Sequence, residues 1–417
     1  MEKPRRGQNI AVSAKLPEEE VSRVLEKLWE SPGASENADL VWWLEKISRK
    51  FQRDDNRELL AKRFRDAVDD LQKNAQVSKT PNQEYKLLIS SGQTYFDWGF
   101  TDEAVECFQE AAKTGERLQN RKLEARAYRK LGNAQMHQGK IEQAVGSFQK
   151  SIAACQDSGE VLEEAYALNS LSTARFQQAA WRPMENACEQ ALAITERYDE
   201  IELTPCIYNN MGAMYSVRGK LEKAQTSFQK SLPLFEQIGD EKGLAETYNN
   251  LATVYRDREM WSEAGKCYAK SLNLSKRIGD AVTNASATIN RVELYIFMHD
   301  LELARNQCLK AVSLFHNIGN HIGEADACKL LGVIYGKDEN EVLAHRYFAE
   351  ALEISQKNGY ALGLAETHQR YAEFYGDQSE KEKALEHYRQ ALGYFRAIKA
   401  SFKSRKIANL LRKLDKE

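Results

Sequence analysis

A small residue, an alanine and an aromatic recur at one fixed spacing eight times in succession, each set forty residues from the last. The small slot holds Gly92, Gly132, Ser172, Gly212, Ala252, Val292, Gly332 and Ala372. Twelve positions on stand Ala104, Ala144, Met184, Ala224, Ala264, Ala304, Ala344 and Ala384. Four further on stand Phe108, Phe148, Cys188, Phe228, Tyr268, Cys308, Phe348 and Tyr388. A period this strict is one supersecondary structure copied end to end, so a chain of 417 residues can grow as a solenoid without a single central core. Such an array buries apolar residues between neighbouring copies and keeps an extended surface open, which favours binding over chemistry.

Each copy reads as two helices. Three places after the small slot comes an aromatic in most copies, as at Tyr95, Tyr215, Tyr255, Tyr295, Tyr335 and Tyr375, one face of a first helix. A polar turn follows, with Gly99, Gly139 or Gly219 in three copies. The alanine and the aromatic four residues after it then share a face of a second helix, and the two helices must approach closely where side chains are smallest. Gly159, Gly239, Gly279, Gly319 and Gly359 stand where that second helix should end, because glycine tolerates the left-handed conformation of a C-cap. Pro17, Pro32, Pro81, Pro183 and Pro205 fall at helix starts or linkers, whereas Pro233 falls late in a second helix, where it removes a hydrogen bond to the carbonyl of Gln229.

This pattern resembles the tetratricopeptide repeats, whose usual repeat is about 34 residues. The forty-residue form, with Ile238-Gly239-Asp240 and Ile278-Gly279-Asp280 between copies, is similar to the subset found in spindle-orienting G-protein-signalling modulators, kinesin light chains and bacterial Rap regulators. The resemblance implies an all-α fold, a right-handed α-solenoid of about eight hairpins over residues 81–397. The hairpins centred on Met184 and Cys188, and on Val292 and Cys308, depart from the pattern and are expected to pack differently.

Outside the array, residues 1–16 are polar, basic and aperiodic, which reads as disorder. Residues 17–80 carry three helical patterns, including Trp42 and Trp43, which cannot both face one stripe of a helix. Residues 38–76 also fall in phase with the array, with Phe64 in the alanine slot, so this region reads either as a separate helical region or as a degenerate repeat. Residues 398–417 combine Phe402, Ile407, Leu410, Leu411 and Leu414 with many basic residues, the composition of a capping helix over an otherwise exposed terminal face.

Composition narrows the function classes. Basic and acidic residues nearly balance, 59 against 61, so no global field draws nucleic acid or a membrane surface. Seven scattered cysteines without a CxxC pair read as free thiols in a reducing compartment. The longest early apolar run, Ile10-Ala11-Val12, is too short for a signal peptide, and no stretch suits a membrane helix, so the reading is a cytoplasmic protein. Gly132–Lys140 and Gly212–Lys220 have the wrong glycine spacing for phosphate loops. His316, His321, His368 and His387 come without a metal-ligand motif, and no nucleophile motif stands out, so neither a metal, a cofactor nor a catalytic residue is expected.

The family resemblance implies that first helices line the groove and that residues two, three and six before the small slot point into it. Those columns supply Lys86, Arg126, Arg129 and Lys130 early, then Asn169, Asn209, Asn210, Asn249, Asn250 and Asn290, then Glu246, Asp326 and Glu366, joined by Glu293 and Glu373 just past the slot. Asparagine is a poor helix-interior residue, and its amide can both donate to and accept from the backbone of an extended peptide. The carboxylate clamp by which some relatives grip chaperone tails is matched only by Arg129 and Asn133, while Ser170, Cys206 and Asn210 replace its remaining members, which argues against such tails. The reading is therefore a non-enzymatic scaffold or adaptor that holds a protein or peptide partner through Arg126, Arg129, Lys130, Asn133, the six asparagines and Glu293. The alternative is a Rap-like regulator that senses a peptide and acts on a response regulator through its N-terminal helices.

Overall fold

A computed structural model describes residues 81–317, 319–398 and 400–414. The expectations for residues 1–16, for 17–80 and for the last three residues lie outside the described residues. Helix follows helix: α1 (Pro81–Asp97), α2 (Thr101–Arg117), α3 (Arg121–His137), α4 (Ile141–Ser158), α5 (Val161–Gln177) and α6 (Trp181–Arg197). Then come α7 (Thr204–Val217), α8 (Leu221–Ile238), α9 (Glu241–Asp257), α10 (Trp261–Ile278), α11 (Ala281–Phe297) and α12 (Leu301–Asn317). The series ends with α13 (His321–Lys337), α14 (Glu341–Lys357), α15 (Ala361–Asp377), α16 (Lys381–Ala397) and α17 (Ser401–Leu414). No strand occurs among the described residues, and within each of its two compact units each helix packs on the next, the arrangement of an α-solenoid. The chain divides into two compact units after Gln178.

The forty-residue period is a packing rule. In each glycine hairpin the small slot lies under the aromatic ring sixteen residues later, so a Cβ on Gly132 would stand 2.5 Å from Phe148, and one on Gly212 would stand 2.6 Å from Phe228. Gly92 under Phe108 and Gly332 under Phe348 would each come to 2.7 Å. The ring therefore occupies the volume the missing side chain vacates. Within the second unit Gly212 goes with Phe228 and Val292 with Cys308, a compensation in size, whereas Ala252 and Ala372 go with the larger Tyr268 and Tyr388. All eight of these side chains or backbones are buried. Interiors hold near-crystalline density, so a slot as large as valine is accommodated opposite a residue as small as cysteine.

The departures at Met184, Cys188, Val292 and Cys308 keep these slots in the core. All four residues are as buried as their counterparts. The Cys308 thiol donates to the Ala327 carbonyl at 3.2 Å, and burial pushes it above its ordinary range, so it behaves as a core group.

Turns follow an equally strict rhythm. From residue 99 to residue 379 every twentieth residue has a positive φ, between 50° and 86°. At Gly239 (φ 72°) the next amide, Asp240, donates back to the Phe235 carbonyl at 3.0 Å and closes the last turn of α8. The same closure forms around Glu259, where Met260 donates to Tyr255 at 2.8 Å although glutamate has no freedom in this region (φ 59°). Pro233 sits within a continuous α8 on its solvent side, where the carbonyl it leaves unpaired can meet water. Pro205 opens α7, which is shorter than its counterparts and preceded by a turn that buries Leu203.

Helix α17 packs on the hairpin before it. Ile407 and Leu411 are buried against Tyr388, Ala391 and Phe395 of the last hairpin. No helix among the described residues is long and apolar enough to cross a membrane.

The size rule yields a test. Gly212→Val should overpack the site against Phe228 and destabilise the fold by about 1–3 kcal/mol. Pairing it with Phe228→Cys should recover part of that loss, so the double variant is more stable than the sum of the single changes by about 1 kcal/mol or more. Urea denaturation of all four chains measures the coupling; strict additivity would show that the two slots do not share one space.

Candidate interaction surface

The first-helix residues of the sequence columns form two distinct surfaces, one in each compact unit. In the first unit, α3 presents Arg126, Arg129, Lys130 and Asn133. Arg126 is exposed, and Asn133 is half-buried one turn beyond Arg129. The Arg129 guanidinium donates to the Glu163 carboxylate of α5 and lies 5.4 Å from the Tyr166 ring. Among the described residues no carboxylate pairs with Lys130. Its ammonium donates to the Gln93 side-chain carbonyl of α1, and Gln93 in turn donates to Asp97 at 2.8 Å. Burial, and then the neighbouring guanidiniums of Arg129 and Arg126, push the Lys130 pKa down to about 8. Asn169, also in this unit, is half-buried on α5; its backbone carbonyl accepts from Ser172 at 2.7 Å.

In the second unit the asparagines meet one another. The Asn209 side-chain oxygen accepts from Thr247 at 3.3 Å and from the Asn250 amide at 3.4 Å. One hairpin on, the Asn249 oxygen accepts from the Asn290 amide at 3.1 Å. A ladder of amides thus runs across α7, α9 and α11. It uses the carbonyl ends of Asn209 and Asn249 and the NH2 ends of Asn250 and Asn290, with amide orientations assigned from this network. All of these residues, and Asn210 beside them, are half-buried, in reach of a ligand on the same face.

Below the ladder the acidic residues are matched. Glu293 on α11 lies 2.5 Å from the Arg256 guanidinium and 3.2 Å from that of Arg370, which reaches it from α15, two hairpins further on. Burial opposes the Glu293 charge, but Arg256 and Arg370 outweigh it and hold the carboxyl below its ordinary range. Lys329 lies 2.8 Å from both Asp326 and Glu366, and Glu366 also receives Lys403 from α17. Lys329 is only 7% exposed and its pKa is raised: burial works against its charge, and Glu366 and Asp326 overcome it. The C-terminal acids are therefore neutralised within the array rather than presented as an acidic surface. Sequence reasoning missed Lys329 and Arg370, although both stand in the groove-facing columns, three and two residues before Gly332 and Ala372.

His368 and His387 come together in the last hairpin, Nδ1 to Nδ1 at 2.9 Å. Burial lowers both, His368 to about 4, so one neutral imidazole donates to the other. Among the described residues no group of three or more His, Cys, Asp or Glu is arranged to hold a metal ion.

Residues 203–277 match the tetratricopeptide repeat family model. No curated protein matches the sequence. Among solved structures, the apo quorum sensor NprR from B. thuringiensis is similar with a TM-score of 0.56 at 16% identity, over 81% of this chain and 97% of that one. Aspartyl phosphate phosphatase F from Bacillus subtilis gives 0.57 at 12%, over 83% and 96%. A signal-transduction ATPase with a tetratricopeptide repeat sensor from Pyrococcus horikoshii gives 0.54 at 15%, over 87% of this chain and 55% of that one. At these identities the likeness is one of fold.

Lys130 supplies a measurable signature. Its folded pKa lies below the unfolded value, so between about pH 8 and pH 10.4 the unfolded chain binds more protons and stability rises with pH. Below that window the buried charge is fully present and its cost undiminished. Denaturant melts at both ends of the window should show this rise, and Lys130→Met should remove the lysine's share of it. An identical pH dependence in the variant would place the ammonium in free contact with water.

Proposed function

We propose that this array of tetratricopeptide-type hairpins is a non-enzymatic adaptor that holds an extended segment of a partner protein against its first helices. The asparagine ladder of the second unit carries the reading. Among the described residues, each rung leaves half of its amide uncommitted: NH2 donors on Asn209 and Asn249, carbonyl acceptors on Asn250 and Asn290. An extended peptide offers the complementary carbonyls and amides at regular intervals whatever its side chains, so main-chain pairing supplies affinity. Prior hydrogen bonding between the asparagines orients the amides before the ligand arrives and lowers the entropy lost on binding.

The basic surface of the first unit adds selectivity. Among the described residues no carboxylate pairs with Arg126 or Lys130, and an acidic side chain of the partner would relieve the mutual repulsion of these two cations. Asn133 and Asn169 stand on first helices of the same unit and serve such a segment as polar contacts. Glu293, held between two arginines, keeps the second surface in shape rather than touching the ligand. The similarity in fold to a quorum sensor and to an aspartyl phosphate phosphatase accords with a place in signalling.

A peptide selected from a random displayed library against the whole chain provides the ligand for a test. Asn249→Ala should weaken that peptide by about 1–3 kcal/mol in calorimetry, because a desolvated backbone group loses its partner. The melting temperature should change little. Loss of the bond from Asn290 costs roughly 0.5–1.5 kcal/mol, and the better helix propensity of alanine returns part of it. Undiminished affinity with a lowered melting temperature would assign the ladder to the scaffold alone.

A further inference from the structure

In the first unit Lys130 stands among cations. Its ammonium donates from α3 to the Gln93 side-chain carbonyl of α1 and lies 5.8 Å from the centre of the Phe108 ring of α2; the residue is half-buried. Arg126 stands one helical turn before it on the same face and is exposed, and Arg129 adjoins it in the chain. The neighbouring carboxylates are engaged elsewhere: Asp97 accepts from Gln93 at 2.8 Å, and Glu163 accepts from Arg129. By contrast Lys329, the nearly enclosed lysine of the second unit, lies 2.8 Å from each of two carboxylates. A charge drawn out of water ordinarily has such a partner, and among the described residues Lys130 has a neutral carbonyl in its place.

This surrounding favours an anion over the ammonium that occupies it. Burial, Arg129 and Arg126 all act against the charge on Lys130, and Asp97 and Glu163 offset them incompletely, so the pKa falls to about 8. At neutral pH the free amine is then about a hundredfold more abundant than on an ordinary lysine. A free amine is a nucleophile, and the sign of its product decides which reaction this place stabilises. Forming an amide would merely delete the cation. Forming a carbamate replaces it with an anion beside two guanidiniums, so that repulsion becomes attraction.

We propose that Lys130 is a carbamylation site, which takes up carbon dioxide as a carbamate held by Arg126. The lone pair of the ε-amine forms an N–C bond to the carbon of carbon dioxide, one C–O π bond opens onto its oxygen, and a proton passes from the nitrogen to water. Nothing is oxidised or reduced. The N–H that remains keeps its bond to the Gln93 carbonyl, while the new carboxylate faces the Arg126 guanidinium, whose forked N–H groups match two oxygens. Carbon dioxide is small and uncharged, so entering a half-buried site costs it little desolvation. The reaction involves α1 and α3 alone and does not depend on a peptide in the groove.

The probe is carbon dioxide itself, supplied to the whole chain as carbon-13 bicarbonate at a fixed carbon dioxide pressure. Alkylation with triethyloxonium traps carbamates as stable esters, and peptide mass spectrometry locates them. Occupancy at Lys130 should exceed that at the exposed Lys86 and Lys122 by about tenfold or more, in keeping with its larger share of free amine. A carbamate resonance in the carbon-13 spectrum should vanish in Lys130→Arg. Arg126→Gln alters an exposed position and leaves the packing intact; it should lower the occupancy at Lys130 by about threefold or more, because the anion loses its charged donor. Trapping at Lys130 no greater than at Lys86 and Lys122 overturns the proposal. So does undiminished occupancy in Arg126→Gln, since the carbamate would then form without the group assigned to hold it.

Discussion

The architecture depends on one contact, the aromatic ring of a second helix lying on the small residue of the first. Helices joined by a short turn can approach this closely only where one contributes almost no side chain, and the ring then fills what is left. Within each unit the hairpins that keep this contact, forty residues apart, share one way of packing. The faces that any partner meets follow from that packing. The polar columns stand in register only because the apolar slots beneath them do.

Much of this was legible in the sequence because spacing is preserved even where chemistry drifts. The slots at Ala224, Ala264, Phe228 and Tyr268 are buried as their positions imply, and the glycines at 159, 239 and 279 adopt the left-handed conformation that ends their helices. What could not be read from single columns was compensation between them. Val292 and Cys308 each look like a departure, and together they conserve the volume of the pair. Likewise the left-handed turn persists at Asp199, Glu259, His299 and Ser379, where no glycine announces it, because the adjoining helices and the backbone closure impose it.

Charge was the least legible property. Reading Asp326, Glu366 and Glu293 as one acidic end treated each column as a list of signs, whereas the structure pairs residues across columns and across hairpins. Lys329 is nearly enclosed between two carboxylates, a placement that removes both signs from the surface at once. The candidate asparagines show the same lesson in neutral form: their spacing placed them on one face, but only three dimensions reveal that they bond to one another and so present fixed halves of their amides.

The ion pair between Glu293 and Arg370 has a consequence for folding. An array whose copies touch only their neighbours unfolds as a chain of independent links, each with its own stability and one interface on either side. A bond from α11 to α15 passes over α13 and joins copies that are not adjacent. The hairpin in between cannot open without straining a contact to which it does not itself contribute. Residues 281–397 should then behave as a single cooperative block, protected together in amide exchange, and fraying that begins at either end of the array should halt at its border.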